Sequence, residues 1–363
     1  MRTFETLPKH CRKLVAFGCL AGACSTPHAQ DAVTIYGLLN PGVTIFDNVS
    51  GGRDTTMSDG VIQPSRLGFK GSEDLGGGLR TIFQLESGFN VKNGTLNQGG
   101  ALFGRQAFVG LSSKDLGTVT LGRQYSFLYD NFILMANGLV TYNVYAFKMG
   151  DADGTGSQRM NNAVKYVAPD WHHFQFGAMH ALGEVPDSSK KQSSDSVGLT
   201  YTGGSVKLTS AYSILRDSRP ALSIGTTIFG QQVNQTTFDR IRIGAVGAQA
   251  VIAHFDLHAM VSTVDYALGA QSSTLKMFEA GAVYPLMANL NGAVGYNYYR
   301  VEGVKFNGVS AGLDYVLSKR SDLSLSYGAI KGSEGTTPQM FTAPGASTDR
   351  TQQALSVGIR HKF

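Results

Sequence analysis

Thiols, prolines, charges and long apolar runs are all scarce in this chain of 363 residues. The three cysteines, Cys11, Cys19 and Cys24, fall in a leading segment that reads as an export signal. There Arg2, Lys9, Arg12 and Lys13 precede an uncharged stretch from Leu14 to Cys24, and Pro27-His28-Ala29 follows, so cleavage is expected after Ala29. Once residues 1–29 are removed, no disulfide framework, thiolate metal site or cysteine nucleophile is available. The same removal leaves 27 basic and 25 acidic residues, a net charge of +2 in place of +5, which gives no reason to expect nucleic acid as a partner. Charged residues make up 16% of the chain, against about 25% in soluble domains. Beyond the leading segment no stretch approaches the roughly 18 apolar residues of a spanning helix. A mean hydropathy of -0.07 likewise excludes a bundle of apolar helices.

Glycine, with 45 residues, and aromatics, at 10%, are plentiful while proline numbers only 10, a composition of many strands and tight turns. From Val33 onward the pattern repeats every two residues, as in strands. Thr81, Phe83 and Leu85 share one face, with Arg80, Gln84 and Glu86 on the other; Leu355, Val357 and Ile359 alternate with Ser356, Gly358 and Arg360 in the same way. Short turns are expected at Asp74–Gly78, Lys114–Gly117, Asp170–His173, Gly203–Gly204, Ala253–His254, Met287–Asn289 and Ser318–Ser321. Longer polar connections are expected at Asn48–Gly60, Asn90–Gly100, Tyr125–Ser157, Gly183–Ser194, Arg216–Thr236, Ala267–Ser273 and Gly332–Arg350, with a shorter link at Val301–Lys305. This alternation of short and long connections predicts an all-β, closed antiparallel transmembrane β-barrel of about 16 strands over residues 30–363. Closure follows from the several kcal/mol that each unpaired backbone group costs in hydrocarbon. Tyr36, Phe69, Phe174, Tyr284, Tyr298 and Tyr315 are candidates for the aromatic girdles at its two rims.

Several stretches resemble the general porins of Gram-negative bacteria, especially the Burkholderia and Neisseria branch of trimeric outer-membrane porins. They are Val33-Thr34-Ile35-Tyr36-Gly37, Ser65 to Leu79 (SRLGFKGSEDLGGGL), Phe83 to Phe89, Arg105 to Leu111, Gly117 to Gln124, Asn161 to Tyr166, Tyr315 to Ser321 and the ending Val357 to Phe363. The resemblance implies a water-filled outer-membrane channel for passive diffusion of small hydrophilic solutes and inorganic ions. It also implies a homotrimer, contact with outer-membrane lipids and lipopolysaccharide, and a third long loop folded into the pore to face a basic wall. The matching wall positions are Arg66, Arg105 and Lys165. A terminal aromatic such as Phe363 resembles the signal read by the barrel-assembly machinery. Two departures stand out: Asn40-Pro41 replaces an acidic and a small residue in the first strand, and the third loop lacks an acidic-glycine motif.

Parity places Arg66 and Lys165 opposite lipid-type neighbours, whereas Arg105 shares a face with Ala107, Val109 and Leu111 and points inward only if that face is the lumen or a bulge intervenes. Lys70, Arg80, Glu86, Lys207, Arg240 and Arg242 are further pore-lining candidates, and Asp130, Asp151 and Asp153 are the acidic candidates of the third loop. A wall this basic predicts anion preference, because fixed charge in a narrow bore concentrates the opposite ion. A solute-selective channel, a barrel enzyme and an adhesin are the alternatives. No motif ties a nucleophile to a base, however, and Gly76-Gly77-Gly78 lacks the lysine and hydroxyl of a phosphate loop. His172-His173 has no further ligand at useful spacing, so neither metal nor cofactor is expected.

Overall fold

The structure, a computed structural model, describes residues 32–147, 159–220 and 225–363. The expected export signal, Asp151 and Asp153 lie outside the described residues. The first stave of the sheet is β1 (Ala32–Leu39), continued past Asn40 as β2 (Pro41–Val49); the second is β3 (Gly52–Asp59), continued as β4 (Arg66–Gly76). Single strands follow: β5 (Leu79–Gly88), β6 (Gln106–Ser113), β7 (Gly117–Tyr125), β8 (Arg159–Val167), β9 (Phe174–Ala181), β10 (Ser194–Gly203) and β11 (Val206–Ser218). A small hairpin, β12 (Thr227–Ile228) with β13 (Gln231–Gln232), stands in the connection to β14 (Phe238–Ile252). The circuit is completed by β15 (Phe255–Leu268), β16 (Gln271–Met287), β17 (Leu290–Val301), β18 (Val304–Val316), β19 (Ser321–Gly332) and β20 (Thr351–Lys362). β20 pairs with β19 on one side and with β1 and β2 on the other, placing Leu38 opposite Lys362 and Val43 opposite Val357. Sixteen antiparallel staves therefore close on themselves. Phe363 fastens the seam, its backbone exchanging two 3.1 Å hydrogen bonds with Gly37.

Burial is inverted relative to a soluble sandwich. Along β19 the buried Asp322, Ser324 and Ser326 alternate with exposed Leu323, Leu325 and Tyr327. Polar side chains face the bore and apolar ones face outward, as a transmembrane barrel requires. Phe69, Phe174, Tyr284, Tyr298 and Tyr315 share the outward face, whereas Tyr36 turns inward to bond Glu86 and so is no part of a girdle.

The break in the first stave has a defined cause. Pro41 cannot donate to a ladder, and the buried Asn40 before it stitches the gap. Its Nδ2 donates to the Ile359 carbonyl at 3.0 Å, and its Oδ1 accepts from the amides of Ile62 and Gln63.

Connections at one end are all short, as expected. At the other end, 89–105, 126–158, 182–193, 219–237 and 333–350 are long, but the remaining three are tight turns at Ser50–Gly51, Gly269–Ala270 and Glu302–Gly303. Asn48–Gly60 and Ala267–Ser273 are thus mostly strand and not loop. Strand that rises beyond the apolar band is wet on both faces and takes on a loop-like composition, which misled the sequence reading.

Candidate functional site

Arg66 opens β4 on the inward face, because Leu67 and Phe69 beside it take the outward one. Its Nε donates to the Pro64 carbonyl at 3.2 Å. Across the ladder, Glu86 is only 4% exposed and accepts from Tyr36 Oη at 2.9 Å and Arg105 Nε at 2.6 Å. Arg105, 2% exposed, reaches inward although Val109 and Leu111 on its parity face point out. It precedes β6 and its amide bonds the Glu86 carbonyl, so the chain leaves the regular alternation just before it. Tyr125, at the end of β7, stacks on Tyr129 with ring centroids 3.6 Å apart, and the guanidinium carbons of Arg105 and Arg159 stand 5.9 and 4.7 Å from its ring. Burial, with Tyr125 alongside, pushes the Tyr129 phenol up to about 12 against the pull of Arg105 and Arg66, so it stays a neutral hydroxyl.

The connection after β7 runs round the inner wall. Helix α1 (Phe127–Phe132) begins where the Phe127 amide donates to Ser196 Oγ, and Asn131 Nδ2 reaches the Ser210 carbonyl. Asp130 on α1 pairs with Lys165 of β8, whose Nζ also donates to the Tyr125 carbonyl at 2.8 Å and lies 4.6 Å from the Phe127 ring centroid. Leu128, Phe132 and Met135 are buried in one apolar cluster with Ile241, Ile243, Ala245 and Met260 of the wall.

At helix α2 (Asn137–Val140), Asn137 clamps the segment to three strands. Its Nδ2 donates to the carbonyls of Ala280 and Tyr296 at 3.1 Å and to Asn297, its Oδ1 meets His258 Nε2 at 3.0 Å, and its amide donates to Glu279. Gly281 and Gly295 leave the room this needs, since a Cβ on either would come within 2.5 Å of the Asn137 side chain. Farther on, Thr141 Oγ1 bonds Ser310 at 3.0 Å, Tyr145 Oη bonds Ser58 at 2.8 Å, and the Tyr145 ring meets Phe46 edge-on.

Between this segment and the wall of β3 to β8 lies a cavity of about 530 Å³. Among the described residues its lining includes Arg66, Lys92, Arg105 and Arg159 with Asp59 as the acidic member, and Tyr129, Ile133 and Tyr145 on the loop side. Larger hollows of about 660 and 700 Å³ are lined by outward residues such as Leu199, Val246 and Val261 and belong to the apolar band.

The structure therefore brings Arg66, Arg105 and Glu86 together and joins Lys165 to Asp130. Lys70 is exposed on the inner face with Nζ 5.3 Å from the Tyr36 ring centroid. Arg80 is exposed at the turn end of β5 opposite Asp74, and Lys207 is half-buried between outward Val206 and Leu208. Arg240 and Arg242 do not line the bore: they share the outward face of β14 with Val246, which is 59% exposed, while Ile241 and Ile243 turn inward beneath α1. Arg159, Lys92, Tyr129 and Asn137 were missed by the sequence reading: Lys92, Tyr129 and Asn137 owe their positions to loop packing, and Arg159 opens β8 beyond a register shift in its pairing with β7. Among the described residues no cluster of three or more His, Cys, Asp or Glu could hold a metal ion.

A family model for the Gram-negative porin matches residues 16–335. An outer membrane porin protein of Bordetella pertussis is 36% identical over 186 residues, which is 46% of each chain. Outer membrane porin protein 32 of Delftia acidovorans is 29% identical over 379 aligned positions, covering 97% of this chain and 99% of its own. Among solved structures, an anion-selective porin from Comamonas acidovorans superimposes with a TM-score of 0.76 at 20% identity, over 92% of this chain and 100% of that one. OmpT of Vibrio cholerae in its trimer form gives 0.67 at 15% identity, over 92% and 99%.

Proposed function

The chain belongs to the Gram-negative porin family and is an outer-membrane channel, and from that premise we propose that its bore favours small hydrophilic anions. One observation carries the preference: among the described residues, four basic side chains, Arg66, Lys92, Arg105 and Arg159, and one carboxylate, Asp59, line the same cavity of about 530 Å³. Fixed positive charge there raises the local concentration of anions and repels cations. The segment 126–147 sets the width of the passage by lining its other side. Glu86 offsets Arg105 directly, so Arg66 is the leading candidate for the selective charge. Lys165 is better read as a strut, since Asp130 neutralises it where α1 meets the wall. The anion-selective description of the Comamonas structure agrees with this reading. In a planar bilayer with a potassium chloride gradient, the reversal potential should lie on the chloride side; a potential on the potassium side would overturn the preference.

Assembly as a homotrimer belongs to the same proposal, supported by family membership and by the trimer form of the Vibrio relative. Native mass in mild detergent tests it. A monomer at every concentration would count against it. The expected contacts with outer-membrane lipids, lipopolysaccharide and the barrel-assembly machinery are part of this proposal too, and removal of residues 1–29 on export goes with them.

A further inference from the structure

The cavity beside the third loop has two chemically unlike sides. On the wall, Arg105 is nearly sealed and gives its Nε to Glu86, whereas the half-buried Arg66 gives only its Nε to the Pro64 carbonyl. Among the described residues the two Nη groups of Arg66 make no hydrogen bond or ion pair. Arg66 thus lines the cavity with the paired donors of its fork unused. The rest of the lining is mostly apolar for a channel that carries hydrophilic solutes: it includes Ile62 from the wall, Ile133, Tyr145 and Phe147 from the third loop, and Phe341 from the connection 333–350. Tyr145 Oη already bonds Ser58 at 2.8 Å, so its ring is what remains for a solute.

These apolar groups are held in place by bonds that do not involve the cavity. The Val144 amide donates to the Val61 carbonyl at 2.7 Å, which ties the third loop to the stretch between β3 and β4. Phe341 packs on Phe147 with ring centroids 5.4 Å apart. The chain turns back beside it, where Thr342 holds φ at 54°, a left-handed conformation that a β-branched residue seldom adopts. Gln352, 1% exposed, secures that turn by accepting from the Met340 amide and donating to the Gly345 carbonyl, each at 2.8 Å. A volume of about 530 Å³ falls within the roughly 300–1,000 Å³ of small-molecule pockets. Fixed rings beside one unused guanidinium fork suit a planar solute with a charged end. Arginine pairs with a carboxylate through two parallel N–H donors, and aromatic faces favour a ring over an aliphatic chain of similar area. Asp59, in the same lining, disfavours a second negative charge on the solute.

We propose that this cavity is a binding site for small aromatic monocarboxylates, with the carboxylate on the Arg66 fork and the ring against Ile133, Tyr145 and Phe341. The proposal rests on the anion-preferring reading of the bore and adds what the uncharged part of a favoured solute must be. The test titrates sodium benzoate, acetate and cyclohexanecarboxylate, and neutral benzyl alcohol, against the potassium chloride current of the full chain in a planar bilayer at neutral pH. Benzoate should half-block the current at a concentration at least about ten-fold below acetate, because burying the apolar area of a ring adds more than one ten-fold step in affinity. Cyclohexanecarboxylate should fall between them, and benzyl alcohol, which lacks the charge, should not block in the benzoate range. Arg66→Gln should raise the benzoate and acetate values together. Ile133→Ser combined with Phe341→Ser should bring benzoate close to acetate, read as the ratio of the two within that one variant so that any change in conductance cancels. Where that variant does not fold, the solute series on the wild type decides alone. Equal block by benzoate and acetate, an unchanged ratio in the folded variant, or block by benzyl alcohol or cyclohexanecarboxylate as strong as by benzoate would overturn the proposal. The reversal potential in potassium chloride alone is read first. On the chloride side with benzoate no better than acetate, this proposal fails and anion preference stands; on the potassium side, anion preference fails and this proposal with it.

Discussion

Replacing Arg66 by glutamine tests the electrostatic reading most directly. The side chain lines the cavity, is held by a single bond to the Pro64 carbonyl, and forms no ion pair among the described residues. Removing it should therefore alter charge with little loss of structure. A unit charge about 5 Å from a passing ion interacts by about 1 kcal/mol at a water-like dielectric constant of about 80 and about 3 kcal/mol at about 20. A hydrated bore lies near the lower value. The substitution acts with opposite sign on chloride and potassium, so their permeability ratio could change by about 2 kcal/mol, or about 30-fold. Screening, together with Lys92, Arg105 and Arg159, which remain in place, reduces this to an expected change of roughly 3- to 10-fold. The assay is the reversal potential in a planar bilayer under a salt gradient, repeated at low and high ionic strength; the shift should run towards potassium and grow as salt falls. An Arg240→Gln/Arg242→Gln double variant serves as control because both residues face outward. If Arg66→Gln leaves the low-salt potential unchanged, or if the control shifts it equally, the assignment of the selective charge is refuted.

Four other outcomes follow from the same geometry. Lys165→Gln combined with Asp130→Asn removes one charge of each sign, so it should leave the reversal potential near that of the wild type while lowering the thermal midpoint; a large potential shift would show that Lys165 acts on permeating ions. Asn137→Ala deprives the Ala280 and Tyr296 carbonyls, Asn297 and His258 of a partner. It should cost about 1–3 kcal/mol in stability and give larger, noisier single-channel conductance, and conductance identical to wild type would count against the clamp. Gly295→Val should displace the same clamp from the opposite side, since even a Cβ comes within 2.5 Å of Asn137, and its conductance should resemble that of Asn137→Ala. Deleting Phe363 removes the two backbone bonds to Gly37 and should reduce folded protein in the outer membrane, measured as heat-modifiable barrel on gels; an undiminished yield would assign the residue no part in closure or assembly.

The architecture was legible because strand alternation and the pairing of successive strands are local in sequence, and closure then follows from the cost of an unpaired edge in hydrocarbon. A strand with lipid on one side and water on the other must repeat every two residues; β4, β19 and β20 do so at their centres, and β5 does so apart from Ile82 on its inward face. Arg66 and Lys165 were readable for this reason, as were most of the turns. Arg105 was not. Its inward direction depends on the irregular stretch before β6, which alternation cannot see. Asn137 offered no signal, since its partners lie more than a hundred residues away on three different strands.

β14 shows why the bore of this barrel cannot be read from strand parity alone. The rule that apolar residues face lipid assumes an interior filled with water, and it assigns Ile241 and Ile243 outward and their arginine neighbours inward. Here Leu128, Phe132 and Met135 of the third loop lie against that part of the wall. The interior surface beneath them is dry, so isoleucine on the inner face gains the same burial it would gain in lipid. Arg240 and Arg242 are then free to face outward, provided that they stand above the hydrocarbon, where a charge no longer costs the roughly 2–4 kcal/mol of the midplane. Two strand-length facts meet that condition: β14 and β16 exceed the span of the apolar band, and tight turns replace the loops expected between β15 and β16 and between β17 and β18. An apolar inner face and a basic outer face on one strand are thus linked consequences of where the loop packs. In a barrel of this kind, inward isoleucines mark the part of the wall that a loop covers, and the ion path must run along the remaining polar part, which here carries Arg66.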